Sequence, residues 1–226
     1  MGYVLVTGGA KGLGAEIVKI FAKNNYDVII GYLNSVREAN KLCEEINNKY
    51  NVNCIVNKID ITNEHDVKNV FDKYKIDIVI NNASLCNDNY ISDKTYKDFM
   101  KVINVNLGGL FLMCKYSSNV KTIVNISSKD GIDTYNPISL DYCCSKAGII
   151  NFSKNLSLYY KDKKILCICP AWIDTNSVKE MNPLYLKKEL ERTGQKKLLK
   201  KEKVAKKIFD CVNSNIMSGS VVIIND

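Results

Sequence analysis

Seven short apolar runs punctuate the chain, at positions 3–7, 27–32, 53–59, 76–81, 122–127, 164–169 and 221–225, and all but the first are rich in valine and isoleucine. Runs of that kind suit strands covered on both faces, as in a parallel sheet. The gaps between them carry helical patterns. Leu13, Ile17, Ile20 and Phe21 space one apolar face. Val36, Ala39, Leu42 and Ile46 space another behind a candidate cap, Ser35. Thr62 is the candidate cap of a third, with Val67, Val70 and Phe71. Phe99, Val102, Ile103, Val105 and Leu110 mark a fourth, and a long one runs from about 142 to 160. Strict alternation predicts one doubly wound α/β domain over 1–226, with a seven-stranded parallel sheet and helices on both faces. Ligands of such folds bind beyond the carboxyl ends of the strands, so the chemistry is expected just after each strand.

Composition narrows the partners. At 226 residues, 46% hydrophobic and 25% charged, the chain can bury a core without disulfides or a structural metal. The net charge is +8, yet Arg37 and Arg192 are the only arginines among 32 basic residues. Base and phosphate recognition favours arginine, so nucleic acid is not an expected partner. Excess Lys with abundant Asn reads as AT-rich coding. Nine cysteines form an odd set without a CxxC pair, and Cys54, Cys114, Cys167 and Cys169 lie in apolar runs. His65 is the only histidine, so no metal site is expected. Reduced, buried thiols of a cytoplasmic protein account for them. No apolar stretch reaches the length of a membrane span, and the sequence opens into its first strand without a basic leader.

The first strand runs into Thr7-Gly8-Gly9-Ala10-Lys11-Gly12-Leu13-Gly14, and a helix follows. Glycines there permit a tight turn and close approach of a pyrophosphate, which the helix N-terminus attracts. An NAD site usually places an acid at the end of the second strand. Here that strand ends Gly31-Tyr32-Leu33-Asn34, while Lys11 and Arg37 are near in sequence. The pattern favours NADP(H), with NAD(H) as the alternative if Lys11 is simply solvated. Asp60 and Ile61 follow the third strand; Asp60 is either an acceptor for the adenine amino group or a turn residue. Asn81, Asn82, Ala83 and Ser84 follow the fourth, where side-chain amides can tie strand ends and line the cofactor cleft.

Tyr142 and Lys146 stand four apart at a helix start, on one face. A neighbouring ammonium favours a phenolate, so this pair is a candidate proton relay. Ser128 ends the fifth strand and faces the same cleft, while Ser127 is expected to alternate into the sheet. Ser128 hydroxyl and Tyr142 phenol are placed to bond one carbonyl oxygen. Asn106, mid-helix, is a candidate to hold a water that relays protons from Lys146.

These motifs in this order resemble the short-chain dehydrogenase/reductase family over essentially the whole chain. The family's glycine loop is matched by Thr7 to Gly14, and its acid after the third strand by Asp60. Asn81-Asn82-Ala83, Asn106, Ser128, Tyr142-x-x-x-Lys146 and Pro170 match in turn. The resemblance implies a Rossmann-type fold and a tetrad of Asn106, Ser128, Tyr142 and Lys146. Lys146 would also hold the nicotinamide ribose, and Ile173 and Thr175 would meet the nicotinamide amide and the phosphates. Tyr32, Ile61, Leu13 and Pro170 complete the implied cofactor contacts. Four departures stand out. Ser84 and Ala171 replace family glycines, the Ser128–Tyr142 spacing is one residue longer, and the segment 113–121 is shorter. The last shortens a helix that assembles family oligomers, leaving homodimer and homotetramer both open.

The segment 175–199 is expected to form a lid over the substrate, with Trp172 before it and Val178, Met181, Leu184, Tyr185 and Leu186 within it. A lysine-rich stretch follows, from Lys187 to Lys207. It is either a solvated helix face or a dock for an acidic carrier. The second option fits family members that reduce 3-oxoacyl chains on acyl carrier protein with NADPH. The expected activity is therefore that of an NADPH-dependent carbonyl reductase or alcohol dehydrogenase, and most specifically the reduction of 3-oxoacyl chains on acyl carrier protein. Another alcohol, sugar or steroid-like substrate is an alternative, as is a non-catalytic NADP(H)-binding redox sensor.

Overall fold

A computed structural model describes residues 2–225. The first half reads β1 (Tyr3–Thr7), α1 (Gly12–Lys23), β2 (Val28–Tyr32), α2 (Val36–Lys49), β3 (Cys54–Lys58), α3 (Glu64–Lys73) and β4 (Ile76–Asn81). Then come α4 (Tyr96–Ile103), a π-helical turn (Asn104–Gly108), α5 (Gly109–Lys115), β5 (Thr122–Ile126) and a 3-10 turn (Lys129–Gly131). The chain closes with α6 (Leu140–Tyr159), β6 (Lys164–Pro170), α7 (Asn176–Lys179), α8 (Pro183–Thr193), α9 (Lys201–Val212) and β7 (Ser220–Ile224).

The strands are all parallel, in the order β3-β2-β1-β4-β5-β6-β7. Side chains alternate across the sheet, which is why the runs are apolar without a break. Val4 and Val6 of β1 join Ile17 and Phe21 of α1 and Val204 and Ile208 of α9 on one face. Leu5 joins Val79, Ile123, Met113 and Ile149 on the other. Each such side chain contributes roughly 1.5–3 kcal/mol when fully buried, so neither face can be left to water. Between β1 and β4 the strand order reverses direction. The crevice beyond their carboxyl ends is where a doubly wound sheet binds ligands. No described helix is long and apolar enough to cross a membrane.

Several expectations shift in detail. β2 and β3 lose a residue at one or both ends, β5 stops at Ile126, β6 gains Pro170, and β7 begins at Ser220. Thr62 does not cap α3. Its hydroxyl is spent on Asp60 Oδ1 at 2.6 Å, and Asn63 Oδ1 accepts from His65 N and Asp66 N instead. Ser35 sits at the N-cap position of α2 but makes no capping bond. The fourth helix is broken by the π-helical turn, and Asn106 lies within that turn. Such turns insert one residue into a helix and re-aim its side chains.

Candidate active site

The glycine loop makes a cradle. Gly8 takes φ +62°, a region glycine enters freely, and a Cβ on Gly14 would stand 2.2 Å from Gly8 O. No side chain caps the start of α1, so its first backbone N–H groups keep their capacity for an anion. The opposite side of the cradle is also fixed. Thr7 Oγ1 accepts from Asn82 N at 3.0 Å and from Ala83 N at 3.1 Å, and Asn82 Nδ2 donates to Thr7 O at 3.0 Å. Asn81 Nδ2 donates to Asn125 Oδ1 at 2.9 Å, joining β4 to β5. Thr175 closes the ring, since its Cγ2 would lie 3.8 Å from a Cβ on Gly12. A dinucleotide fits these residues.

Two of the expected cofactor residues have partners within the chain. Asp60 Oδ1 accepts from Thr62 N at 2.9 Å as well as from its hydroxyl, which is the turn role. Lys11 is not simply solvated: its Nζ lies 2.8 Å from Glu38 Oε1. Glu38 is held below the usual carboxylate range mainly by that lysine. An acid is therefore present beside the loop after all, carried by α2 and not by the strand end.

A cleft of about 630 Å³ opens beyond β4, β5 and β6. Leu13, Asn82, Ser128, Tyr142, Lys146, Pro170, Ile173 and Thr175 line it. Thr7, Gly8, Lys11, Gly12, Gly14, Tyr32, Asp60, Ile61 and Ala83 stand outside it, at or just beyond the carboxyl ends of β1 to β4. Lys146 Nζ lies 5.2 Å from the centre of the Tyr142 ring and donates to Ile126 O at 2.9 Å. Ser127 Oγ donates to Lys146 O at 2.7 Å, which fastens α6 to the end of β5. A Cβ on Gly131 would come within 2.6 Å of the Lys146 carbonyl carbon, so only glycine lets the turn after Ser128 approach α6 this closely.

The acidities depart from expectation. Lys146 is 2% exposed, and burial lowers it to about 8. Tyr142 is not depressed: burial pushes it up, Asp130 and Cys86 add to the rise, and Ser128 opposes it through a hydrogen bond. Desolvation is the largest cause. Asn106 also differs from a free relay. Its Nδ2 donates to Leu85 O at 2.8 Å and Ser145 Oγ at 2.9 Å, and its Oδ1 accepts from Leu85 N at 2.7 Å. Its side chain fastens the strand-end loop to α6 one residue before Lys146.

Residues that no motif marks complete the site. Asp141 Oδ1 accepts from Tyr142 N at 2.9 Å, and its Oδ2 pairs with Lys94 Nζ at 2.7 Å, both side chains almost fully buried. An acid directly before Tyr142 was the available signal; its partner lies 47 positions away. Asp130, Asp88, Asn136 and Gln195 put acceptors on the cleft wall. The segment after β6 leaves and returns at one point: Ile173 bridges Leu199, and Gln195 both donates to and accepts from the Trp172 backbone at 2.9 Å. Arg192 holds Glu189 and donates to Tyr135 O, and Asn136 Nδ2 donates to Tyr185 OH at 3.2 Å.

The sequence profile of the short chain dehydrogenase family matches residues 2–185. The chain belongs to that family. It is 32% identical to the 3-oxoacyl-[acyl-carrier-protein] reductase FabG of Chlamydia trachomatis, over 79% of this chain and 76% of that protein. It is 30% identical to the protein of the same name from Aquifex aeolicus, over 98% of this chain and 94% of that one. Among solved structures, a dehydrogenase/reductase from Sinorhizobium meliloti superposes with a TM-score of 0.91 at 21% identity, covering 98% of this chain and 92% of the other. A short chain dehydrogenase from Burkholderia cenocepacia in complex with NADP gives 0.89 at 23% identity, covering 98% and 95%. The chain is thus an NAD(P)-dependent oxidoreductase acting on CH–OH groups.

Proposed function

We propose that this short-chain dehydrogenase is a cytoplasmic, NADP(H)-preferring reductase of 3-oxoacyl thioesters carried on acyl carrier protein, acting in fatty-acid synthesis. The observation that carries the reading is the meeting of Ser128, Tyr142 and Lys146 at one cleft beside the glycine loop, in a chain whose curated relatives reduce that substrate. The bound nicotinamide would supply the hydride. Tyr142 gives its proton to the substrate oxygen as negative charge develops there, and burial, which raises its pKa, keeps that proton in place near neutrality until then. Ser128 orients the same oxygen. Lys146, tied at Ile126 O, retains further N–H donors for the ribose. Asn106 holds α6 in register. The segment 175–199 acts as the lid, moving about the base fixed by Gln195 and Leu199. The assembly is a homo-oligomer, and the nine free thiols suit a reducing compartment.

The lysine-rich stretch supports a carrier dock less strongly than its composition suggests. Lys187, Lys201 and Lys206 are paired with Glu191, Glu16 and Asp210 within the chain. A second reading has its own support: the carboxylates of Asp130 and Asp88 on the wall suit a small hydroxylated carbonyl compound better than a long acyl chain.

The test is NADPH oxidation with acetoacetyl coenzyme A, with acetoacetyl acyl carrier protein, and with short polyhydroxylated ketones, with NADH as control. Turnover several-fold better on the carrier supports the first reading. Turnover confined to hydroxylated ketones replaces it with the second.

A further inference from the structure

Ser128 has one hydrogen and two lone pairs to offer. In the protein its hydrogen is already engaged: Ser128 Oγ donates to Asp130 Oδ2 at 3.1 Å. One lone pair is engaged too, because Asp130 N donates back to Ser128 Oγ at 3.1 Å. The other carboxylate oxygen, Asp130 Oδ1, accepts from Thr134 Oγ1 at 2.8 Å, which fixes the carboxylate in place. Asp130 lines the same cleft as Ser128 and Tyr142. While its hydrogen stays on Asp130, the serine can accept a hydrogen bond from an alcohol or from the Tyr142 hydroxyl beside it, and cannot donate one to a carbonyl oxygen.

We propose that Asp130 is a positioning residue that, as a carboxylate, holds the Ser128 hydrogen away from the substrate and, as a neutral acid, releases it to the carbonyl oxygen. The inference rests on the role given to Ser128 above and deepens it. When Asp130 is neutral its own O–H donates to Ser128 Oγ, and the serine hydrogen turns into the cleft. No atom is gained or lost beyond the one proton exchanged with solvent.

The surroundings allow the change of charge. Burial raises Asp130 above the ordinary aspartate range, against the hydrogen bonds from Thr134 and Ser128. From α8, Arg192 lowers it and Glu189 raises it. Tyr142, Cys143 and Lys146 face it from α6, and each feels its charge. Lys129 and Asp133 flank it on its own turn, paired at 4.0 Å.

The sign follows. Carbonyl reduction, read as kcat/KM, is greatest below the Asp130 midpoint. It falls by roughly tenfold as pH rises through that midpoint, about the worth of one hydrogen bond to a charged group. In Asp130→Asn the amide N–H donates to Ser128 Oγ at every pH, so this limb disappears and the high rate persists.

Two measurements decide it. Isotope-edited infrared spectroscopy of the protein alone follows the Asp130 carboxyl, identified as the band lost in Asp130→Asn. Ser128→Ala removes a donor to the carboxylate, so the midpoint should move to higher pH. The pH profile of acetoacetyl coenzyme A reduction is then compared between the wild type and Asp130→Asn. Asp130→Ser stands in if the asparagine variant fails to bind NADPH, and it too should lack the limb. An Asp130 midpoint indifferent to Ser128→Ala overturns the proposal, and so does a limb that persists without the carboxyl. Should neither the coenzyme A thioester nor the carrier-bound one be turned over, the thioester reading above falls, while the infrared titration still decides this one.

Discussion

Thr7 and Asn82 meet at the carboxyl ends of β1 and β4, two hydrogen-bonded neighbours, so the register of the sheet sets their distance. Arg192, Tyr135, Asn136 and Tyr185 also meet, but across loops and the helix α8, whose positions no ladder fixes. The cofactor wall is thus backbone geometry with a few side chains locked to it. The opposite wall of the cleft, where we place the substrate, is an assembly of side chains, Asp130, Asp88 and Gln195 among them, on irregular chain. A regular ladder tolerates little change and suits a ligand shared by many enzymes. Loops can be rebuilt without disturbing the sheet, so substrate choice belongs there.

The sharpest way to separate the walls is Tyr142→Phe. It removes the proposed proton donor and nothing from the glycine cradle. Turnover should fall by about 10²- to 10⁴-fold, with NADPH binding, read by cofactor fluorescence, within about twofold. Retained turnover with cofactor bound would break the proton-donor assignment. A redox sensor would keep its full response to NADPH in that variant.

Next in size is the buried pair Lys94–Asp141, which anchors the N-terminus of α6 from the loop after β4. Breaking it with Lys94→Met leaves an unpaired carboxylate in the interior, which costs about 3–5 kcal/mol of stability by denaturant unfolding. Replacing both, as Lys94→Met with Asp141→Leu, should recover most of the stability. Turnover should stay low, because Tyr142 N then loses its partner. Full recovery of turnover would show that the pair only holds the fold.

The seven strands were legible because both faces of the sheet are covered, and burial on two sides writes itself as unbroken Val and Ile. Strand ends moved by a residue or so because ladders stop where the chain bends, which composition does not record. Tyr142, Lys146 and Ser128 were legible through spacing, and their convergence at the end of β5 follows from the doubly wound order. Three things were not legible. Asn63 displaced Thr62 as a cap because the threonine hydroxyl had a better partner in Asp60. The acidity of Tyr142 was not legible because burial, invisible in sequence, raises it. Asp130, Asp141 and Gln195 carry no motif, and their roles depend on partners that only the folded loops supply.

Burial of Lys146 makes a prediction about pH. Burial lowers its pKa to about 8 in the fold, against an ordinary 10.5. Between those values the unfolded chain binds more protons than the native one, so stability rises with pH across that window. Below about 8 the cost of burying the charge is present in full; it amounts to about 3 kcal/mol and is relieved towards 10.5. The wild type should therefore gain stability over this window relative to Lys146→Met, measured by urea unfolding at several pH values. Parallel curves would mean that Lys146 keeps its proton easily in the interior, and the argument for its tuned state would go.

The smallest effect tests whether the cofactor wall is as fixed as its ladder implies. Lys11 and Glu38 sit on the rim and are both substantially exposed, so their pair is screened and weak. A 2′-phosphate would compete with Glu38 for Lys11, whereas a free ribose hydroxyl would have a use for the carboxylate. Glu38→Gln should therefore tighten NADPH binding by roughly two- to fivefold and leave NADH unchanged or weaker, the range expected of an exposed charge pair. Lys11→Ala should do the reverse, weakening NADPH by a similar factor, and both effects should shrink as salt is raised. If Glu38→Gln weakens NADH and leaves NADPH untouched, Glu38 is a ribose ligand and the preference runs to NAD(H). The cofactor wall would then carry its specificity on α2, outside the strand-end pattern that made the rest of it readable.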